Sequence, residues 1–473
     1  MDLLIISTNR YTLPVPVIPL GACLVAEAAR RAGHNVRLLD LMFESHPLNA
    51  VERALARTNP DVVGVSVRNI DNNDMQNPIL FVEELVPLIE TIQRQTKAAI
   101  VLGGSAVGVM PEHLLRYTGV GCAVLGDGES VFPEILRHFD NSGRLERIPG
   151  IAYAEGSTIR KNPCASLPLE FVAPDFSRWI PLKRYLSSLA TVPVQSRMGC
   201  PFKCIYCTYR KIEGADYRLA DQESVTEGIK ELVGAGFRDI EFVDSVFNSP
   251  YDYAITLCER LARARLPVRL QSLELNPRFV DDALITEMER AGFCAIGITA
   301  ENASDTVLDK LQKGFTTKDL YKTAEVVRRH KLPCIWIFLL GGPGETPVTI
   351  RETLRFARKS IRSHDVVFFN FGIRIYPGTG IESMAREEGV LSLAPQEMLT
   401  PVFYWSPQVD FLWALNEVKT SLNTSMNYID VESIGWNRLL RIHQLGYRLG
   451  VKPPLWRHTR FIRKGLRILG MNK

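Results

Sequence analysis

Cys200-Pro-Phe-Lys-Cys204-Ile-Tyr206-Cys207, led in by Ser196-Arg-Met-Gly199, puts three thiols on one short loop. Three thiolates packed this tightly can wrap around one metal centre. A mononuclear zinc site needs a fourth protein ligand, and no second Cys/His cluster at finger-like spacing lies nearby. Thiolates also suit iron–sulfur clusters. Three ligands on a four-iron cubane leave one iron free to bind a small molecule, so the loop reads as a reaction site rather than a staple. The bland alternative is a structural zinc loop or three unrelated reduced thiols. The other six cysteines (Cys23, Cys122, Cys164, Cys258, Cys294, Cys334) stand among apolar residues, as small core fillers do.

Outward from the loop, β-rich runs alternate with helical patterns in both directions. Downstream, strands are expected at Val192–Gln195, Asp239–Val243, Val268–Ser272, Cys294–Thr299, Cys334–Leu340 and Val366–Ile375. Helices such as Gln222–Ala235 and Tyr251–Ala264 separate them. Upstream, Leu3–Ser7, Val36–Leu39, Val62–Val67, Ala99–Leu102 and Cys122–Leu125 read as strands, with helices at Leu20–Ala32, about Ile79 to Gln95, and Ser130–Phe139. Alternating β and α elements imply a doubly wound parallel sheet, whose ligands bind beyond the carboxyl ends of the strands. Those ends hold Thr8-Asn9-Arg10, Arg68-Asn69 through Asp74, Gly103-Gly104-Ser105 and Gly126-Asp127-Gly128-Glu129-Ser130. A large polar ligand can lie across that edge, although glycines alone mean only tight turns.

The expected divisions are 1–140 for this sheet, 141–190 for a connecting region, 191–390 for the second βα series, and 391–473 for a mostly helical end. The connecting region carries a hairpin turning at Glu155-Gly156 and a proline-bearing stretch. The aromatic-rich end (Phe403, Tyr404, Trp405, Phe411, Trp413) is expected to cover the mouth of the second domain and shape a substrate cavity.

The CxxxCxxC spacing, with an aromatic before the last cysteine, is similar to the motif of the radical S-adenosylmethionine (SAM) superfamily. The resemblance implies that Cys200, Cys204 and Cys207 hold a 4Fe–4S cluster whose open iron chelates the amino and carboxylate groups of SAM. Reduction then cleaves SAM to a 5′-deoxyadenosyl radical, with Tyr206 packed near the adenine. It implies a partial (βα)6 barrel, with polar groups at the C-terminal strand ends. Asp244, after the second strand, resembles the residue contacting the amino end of SAM; an aspartate there is equally a helix N-cap. Glu274 ends the third strand at a place suited to the barrel interior. Glu301, in a segment running to Lys313-Gly314-Phe-Thr316, matches an acidic residue that orients SAM. Gly341-Gly342-Pro-Gly344-Glu345-Thr346 and Pro377-Gly378-Thr379 resemble the GxPGET and PGT segments of one subgroup.

Residues 1–140 resemble the cobalamin-binding domain that precedes the barrel in that subgroup, with Asn69, Gly103, Gly104, Gly126 and Glu129 as contacts. One departure is the missing DxHxxG loop: none of the eight histidines has an aspartate two positions before it, so no histidine of that loop coordinates cobalt. The leading implied reaction is C-methylation, in which methylcobalamin delivers its methyl to a substrate radical. The alternatives are cyclisation, rearrangement, oxidation or carbon–carbon coupling of a lipid, pigment or natural product. A further one, of another class, is a non-enzymatic Fe–S sensor or scaffold.

Composition is that of an ordinary globular protein, 46% hydrophobic and 23% charged over 473 residues, long enough for two or three domains. A net charge of +4 gives no argument for nucleic acid. Asp2–Ser7 reads as a strand rather than a leader, and nine cysteines without an export signal point to a reducing cytoplasm. The partners expected are a small-molecule or lipid substrate and an electron donor such as flavodoxin or ferredoxin. The basic, amphipathic end from Lys452 to Gly470 is either docked on its own domain, the more ordinary use, or laid on a membrane surface.

Overall fold

The computed structural model describes residues 1–141, 144–424, 427–430 and 436–468. Its first sheet begins with β1 (Asp2–Ser7), β2 (Asn35–Asp40), β3 (Val62–Ser66), β4 (Ala99–Gly103) and β5 (Cys122–Val124), all parallel in the order β2-β1-β3-β4-β5. The order reverses between β1 and β3, which opens a crevice at their carboxyl ends. The hairpin expected in the connecting region forms as β6 (Ile151–Glu155) and β7 (Thr158–Lys161). It does not stand apart: β6 pairs antiparallel with β5 and extends the sheet to seven strands. Parallel sheets often take such an antiparallel edge. Helices Leu20–Arg31 and Gly128–Asn141 cover one face, and Pro47–Thr58 and Leu85–Gln95 the other.

The second sheet is parallel and open. It uses β8 (Val192–Val194), then, after the two-residue ribbon β9 (Arg197–Met198) and β10 (Arg218–Leu219), β11 (Asp239–Phe242), β12 (Arg269–Leu275), β13 (Phe293–Glu301), β14 (Cys334–Leu340) and β15 (Val366–Phe371). These six strands lie in sequence order, as a partial barrel requires. β15 stops at Gly372 rather than running to Ile375. That glycine has φ +70°, and Met75 of the first domain sits against it where a Cβ would be. The chain then turns into β16 (Ile373–Arg374), paired antiparallel with β17 (Phe403–Tyr404). A seventh strand, β18 (Tyr428–Asp430), joins β15 from the end read as helical. Three residues of ordinary composition give no periodicity to read.

The C-terminal region divides between the two ends of the barrel. Trp405 lies at the mouth, its ring 6.5 Å from Phe371 and 5.0 Å from Phe411. The later elements close the opposite end, contrary to the expectation of a lid alone. On β14, Trp336 and Phe338 face the outer helix Pro347–Ser360 through Phe356, so Ile335 points inward. Ile335, Val366 and Phe368, at the starts of their strands, are capped by Trp456 and Ile462. An open barrel bottom would leave these apolar side chains wet, which explains the cover. The tail thus docks on its own domain; residues 469–473 lie outside those described.

Candidate active site

Two irregularities at the C-terminal strand ends set the site. The register of β12 against β13 shifts between Ser272 and Leu275, and that of β13 against β14 between Thr299 and Glu301. Such shifts re-aim side chains next to functional sites. The first carries Glu274, and the second carries Glu301 in a left-handed conformation at φ +59°. A non-glycine residue there costs about 1–3 kcal/mol, a strain that persists only where its surroundings hold it.

Those surroundings are a buried triad. Tyr206 donates to Glu301 Oε1 at 2.6 Å, and Lys313 Nζ lies 3.0 Å from both the Tyr206 hydroxyl and Glu301 Oε1. Burial lifts the Tyr206 hydroxyl far above its ordinary range, and Glu301 beside it lifts it further. Burial alone would discharge Lys313, but Glu301 outweighs it and keeps the ammonium charged. Lys313 opens the Lys-Gly-Phe-Thr segment singled out in the sequence, but its pairing with Glu301 and Tyr206 appears only in the fold. Lys313→Met leaves the Glu301 carboxylate buried without its cation, which is expected to cost about 3 kcal/mol. Urea unfolding checks this, and the double variant with Glu301→Gln should recover most of the loss.

The cysteine loop is threaded between these elements. Ile205 N–H donates to Leu311 O at 3.2 Å, and Ile205 O accepts from Ile381 N–H at 2.9 Å. The Pro377-Gly378-Thr379 segment is therefore brought against the loop, and Lys211 donates to Pro377 O. Gly378 N–H donates to Glu382 at 2.6 Å. All three thiols are free; Cys200 is buried, while Cys204 and Cys207 are half-buried. Each lies within the electrostatic reach of another, and burial first, then the neighbouring thiols, pushes Cys207 up to about 12. Among the described residues no three His, Cys, Asp or Glu side chains gather as tightly as one metal ion requires. Thiolates serving three separate irons of one cluster need no such gathering. Three free thiols on a braced loop fit that group.

Facing them is a chamber bounded by Tyr209, Glu274 and Arg68. Tyr209 is 44% exposed and Arg68 is exposed, while Glu274 is half-buried. Tyr209 lies within the field of Glu274, Glu213, Cys207 and Arg68, so groups of the barrel mouth and of the carboxyl end of β3 meet around it. Burial, then the charge on Glu301, raises Glu274 to about 8. With its pKa higher folded than unfolded, this carboxyl stabilises the fold at low pH and loses that contribution as pH rises towards 8. The unliganded chain should therefore lose on the order of 3 kcal/mol from this group between pH 5 and 8. Denaturant midpoints should show Glu274→Gln flattening that slope.

Several other expected residues stand elsewhere. Asp244 is fully buried and accepts from Ser196 N–H at 2.8 Å, the Ser196 hydroxyl at 2.6 Å and Arg197 N–H at 3.2 Å. Its carboxylate braces the strand entering the cysteine loop and caps no helix. Its place at a strand end is shared with ligand-binding aspartates, so the sequence could not tell the two apart. Gly341, at φ +91°, makes room for the Trp405 ring, which a Cβ would overlap. Gly342 packs near Val307 and Leu311, and Gly344 beside Lys310. Glu345 turns back to accept from Gly341 and Gly342 N–H and from Asn302 at 2.7 Å, with burial raising it to about 7. This segment packs its own chain.

At the first sheet's edge, Gly104 lets the turn after β4 cross the Val67 carbonyl, while a Cβ at Gly103 would make only ordinary contact with Val124. Asn69 lines a cavity of about 430 Å³ with Thr8, Arg10, Tyr11 and Arg68. Glu129, raised by burial, lines a second of about 460 Å³ with Leu20, Leu24, Leu169 and Gln195. Gly126 abuts Cys164, and Asp127 is drawn into a bidentate ion pair with Arg218 of β10, 2.9 Å on its longer arm. Neither Arg68 nor Tyr209 carries a motif, and only the folded chamber singles them out.

A parallel sheet with open clefts at its carboxyl edge thus stands beside a barrel whose mouth carries three free thiols. Comparison with known proteins makes this specific. The B12 binding domain family matches residues 7–136, and the Radical SAM superfamily matches residues 196–357. The chain therefore carries a B12 binding domain followed by a Radical SAM domain, and the cofactors of these domains are cobalamin, a 4Fe–4S cluster and SAM. It is 24% identical over 382 residues to an uncharacterized methyltransferase of Pyrococcus horikoshii, covering 79% of each chain. Over 250 residues it is 29% identical to the hopanoid C-3 methylase of Methylococcus capsulatus, covering 52% of this chain and 45% of that one. The fold matches the radical SAM methyltransferase TsrM of Kitasatospora setae with a TM-score of 0.86, over 99% of both chains at 22% identity.

Proposed function

We propose that the chain is a C-methyltransferase that acts on an unactivated carbon of a small-molecule or lipid substrate. The observation that carries this reading is the meeting of Arg68, from the carboxyl edge of the first sheet, and Glu274, from the barrel mouth, around Tyr209 just after the three thiols. A carbon held there is within reach of both domains. When bound, the cofactors supply a carbon-centred radical and a transferable methyl group.

Cys200, Cys204 and Cys207 would hold the cluster, with Cys204 and Cys207 turned least into the core. Asn69, Gly103, Gly104, Gly126 and Glu129 would line the cobalamin cleft. Glu274, protonated at neutral pH, offers a hydrogen-bond donor to a carboxylate or carbonyl in the chamber. Glu301 and Tyr206, locked by Lys313, offer a fixed wall beside the cysteine loop, and Pro377 and Gly378 close its other side. The relatives support methyl transfer, one of them to a carbon of a lipid. The partner this reading calls for is a one-electron donor of flavodoxin or ferredoxin type.

The test is anaerobic reconstitution with iron, sulfide and cobalamin, then dithionite and SAM labelled in its methyl group. Label on the cobalamin recovered after quenching, together with deoxyadenosine, is the expected result. Deoxyadenosine without label on cobalamin would redirect the reading to rearrangement or cyclisation.

A further inference from the structure

Charge is divided unevenly along this chain. Residues 433–473 hold ten of its 56 Lys and Arg and none of its 52 Asp and Glu, so the preceding 432 residues carry 46 cations against 52 carboxylates. A segment at +10 follows a body at −6. We infer that this segment, where it covers the barrel bottom, is a docking surface for an anionic lipid bilayer.

The exposed side chains have the form such a surface needs. From the helix Trp436–Arg448, Arg441, Leu445 and Arg448 reach solvent, followed by Leu449 and Lys452. Steps of four and three place Arg441, Leu445 and Arg448 on one stripe, and Leu449 and Lys452 follow just beyond the helix end. From the helix Thr459–Ile468, Phe461, Lys464 and Ile468 form a second stripe, with Arg460 beside it. Leu449 and Ile468 are each 76% exposed and Phe461 is 70% exposed. Lone exposed apolar residues are ordinary. Two helical stripes in which apolar residues alternate with Lys and Arg are the pattern of a helix lying in a membrane interface.

The chemistry favours lipid over the other occupants of a basic face. Leu445, Leu449 and Ile468 gain from hydrocarbon and offer nothing to a phosphate backbone or a stacked base. A second copy would bring another +10 surface against the first, and like charges oppose that pairing. The inner face of the second helix is already used: Ile462, with Trp456 before it, caps the barrel, and Arg463 donates to Tyr428 O. The reacting end of the barrel therefore points away from the bilayer, so the contact tethers the enzyme rather than filling the chamber. This inference stands apart from the methyl-transfer reading.

The experiment is co-sedimentation of the full chain with vesicles of phosphatidylcholine, or of phosphatidylcholine and phosphatidylglycerol in equal parts. Pelleting is expected with the anionic vesicles alone and should be reversed by high salt. The Arg460→Glu/Lys464→Glu variant should lower partitioning by at least about tenfold, and Phe461→Ser should weaken it at unchanged charge. Deoxyadenosine formation should be unaltered in both. The inference is overturned by an absence of pelleting, by equal pelleting with neutral vesicles, or by charge-reversed protein that still binds. It is equally overturned if the wild type binds RNA but no vesicle, or forms a concentration-dependent dimer that Phe461→Ser dissolves.

Discussion

Replacing any one of Cys200, Cys204 or Cys207 with alanine is expected to reduce SAM cleavage to background. The loss should be at least on the order of 10⁴-fold, a barrier increase of roughly 5 kcal/mol. The cofactors carry the chemistry, so losing a cluster ligand removes the reaction rather than slowing one of its steps. The rest of the molecule should survive. Cys204 and Cys207 are half-buried, and their loss opens little core; Cys200 is 6% exposed, so its small side chain costs on the order of 1 kcal/mol. Each variant should therefore keep its far-ultraviolet dichroism and its cobalamin uptake while its iron and sulfide content falls. Cys164→Ala, at an exposed thiol outside the loop, is the control and should leave iron and sulfide content unchanged. Burial keeps the Cys200 and Cys207 thiols protonated in the unliganded chain, so assembly must release protons and should become faster as pH rises. Iron content that survives in all three variants, or zinc in its place, would sink the assignment.

The elements that could be read from the sequence are those whose residues answer to one local rule. Alternating apolar runs fixed β1 to β5 and the six barrel strands, because a strand buried on both faces is a continuous hydrophobic run wherever it occurs. The three thiols were legible because their spacing is itself the chemistry. What the sequence left unread depended on partners distant along the chain. Asp244 was marked by its position, and the fold adds that its carboxylate accepts from three donors of Ser196 and Arg197. The glycines at 341, 342 and 344 read as a ligand cradle, and the fold adds that the first also makes room for Trp405, more than sixty residues later. The role of Tyr209 emerges only when two domains bring Arg68 and Glu274 around it. The seventh barrel strand is too short to carry a pattern.

Among the contacts that join the two domains, one ion pair is fully buried. Asp71, in the loop after β3, is fully buried and accepts from Arg374 Nε of β16 at 2.8 Å, with both side chains at most 3% exposed. The same guanidinium donates to Ile375 O at 2.6 Å and to Met398 O at 3.1 Å, so its charge and its hydrogen bonds are both satisfied. Nearby, Tyr376 donates to Asn73 at 2.9 Å, and Met75 seats on Gly372. Asp71→Ala strands a buried cation, and Arg374→Ala strands a buried carboxylate; either should cost about 3–5 kcal/mol. The double variant Asp71→Leu/Arg374→Met should cost much less, because apolar replacement of both charges leaves nothing unpaired. The contact joins domains whose hydrophobic cores are continuous through Ile205, Val307, Leu311 and Ile373, so the damage should reach function as well as stability. With the loop loosened, the chamber between Arg68 and Glu274 loses its fixed width. Single variants that still fold should form deoxyadenosine, a reaction confined to the barrel, yet lose methylated product. Denaturant unfolding of the three variants measures the first effect, and the ratio of the two products measures the second. If Asp71→Ala unfolds at the wild-type midpoint, the two domains are held together by their shared apolar core alone.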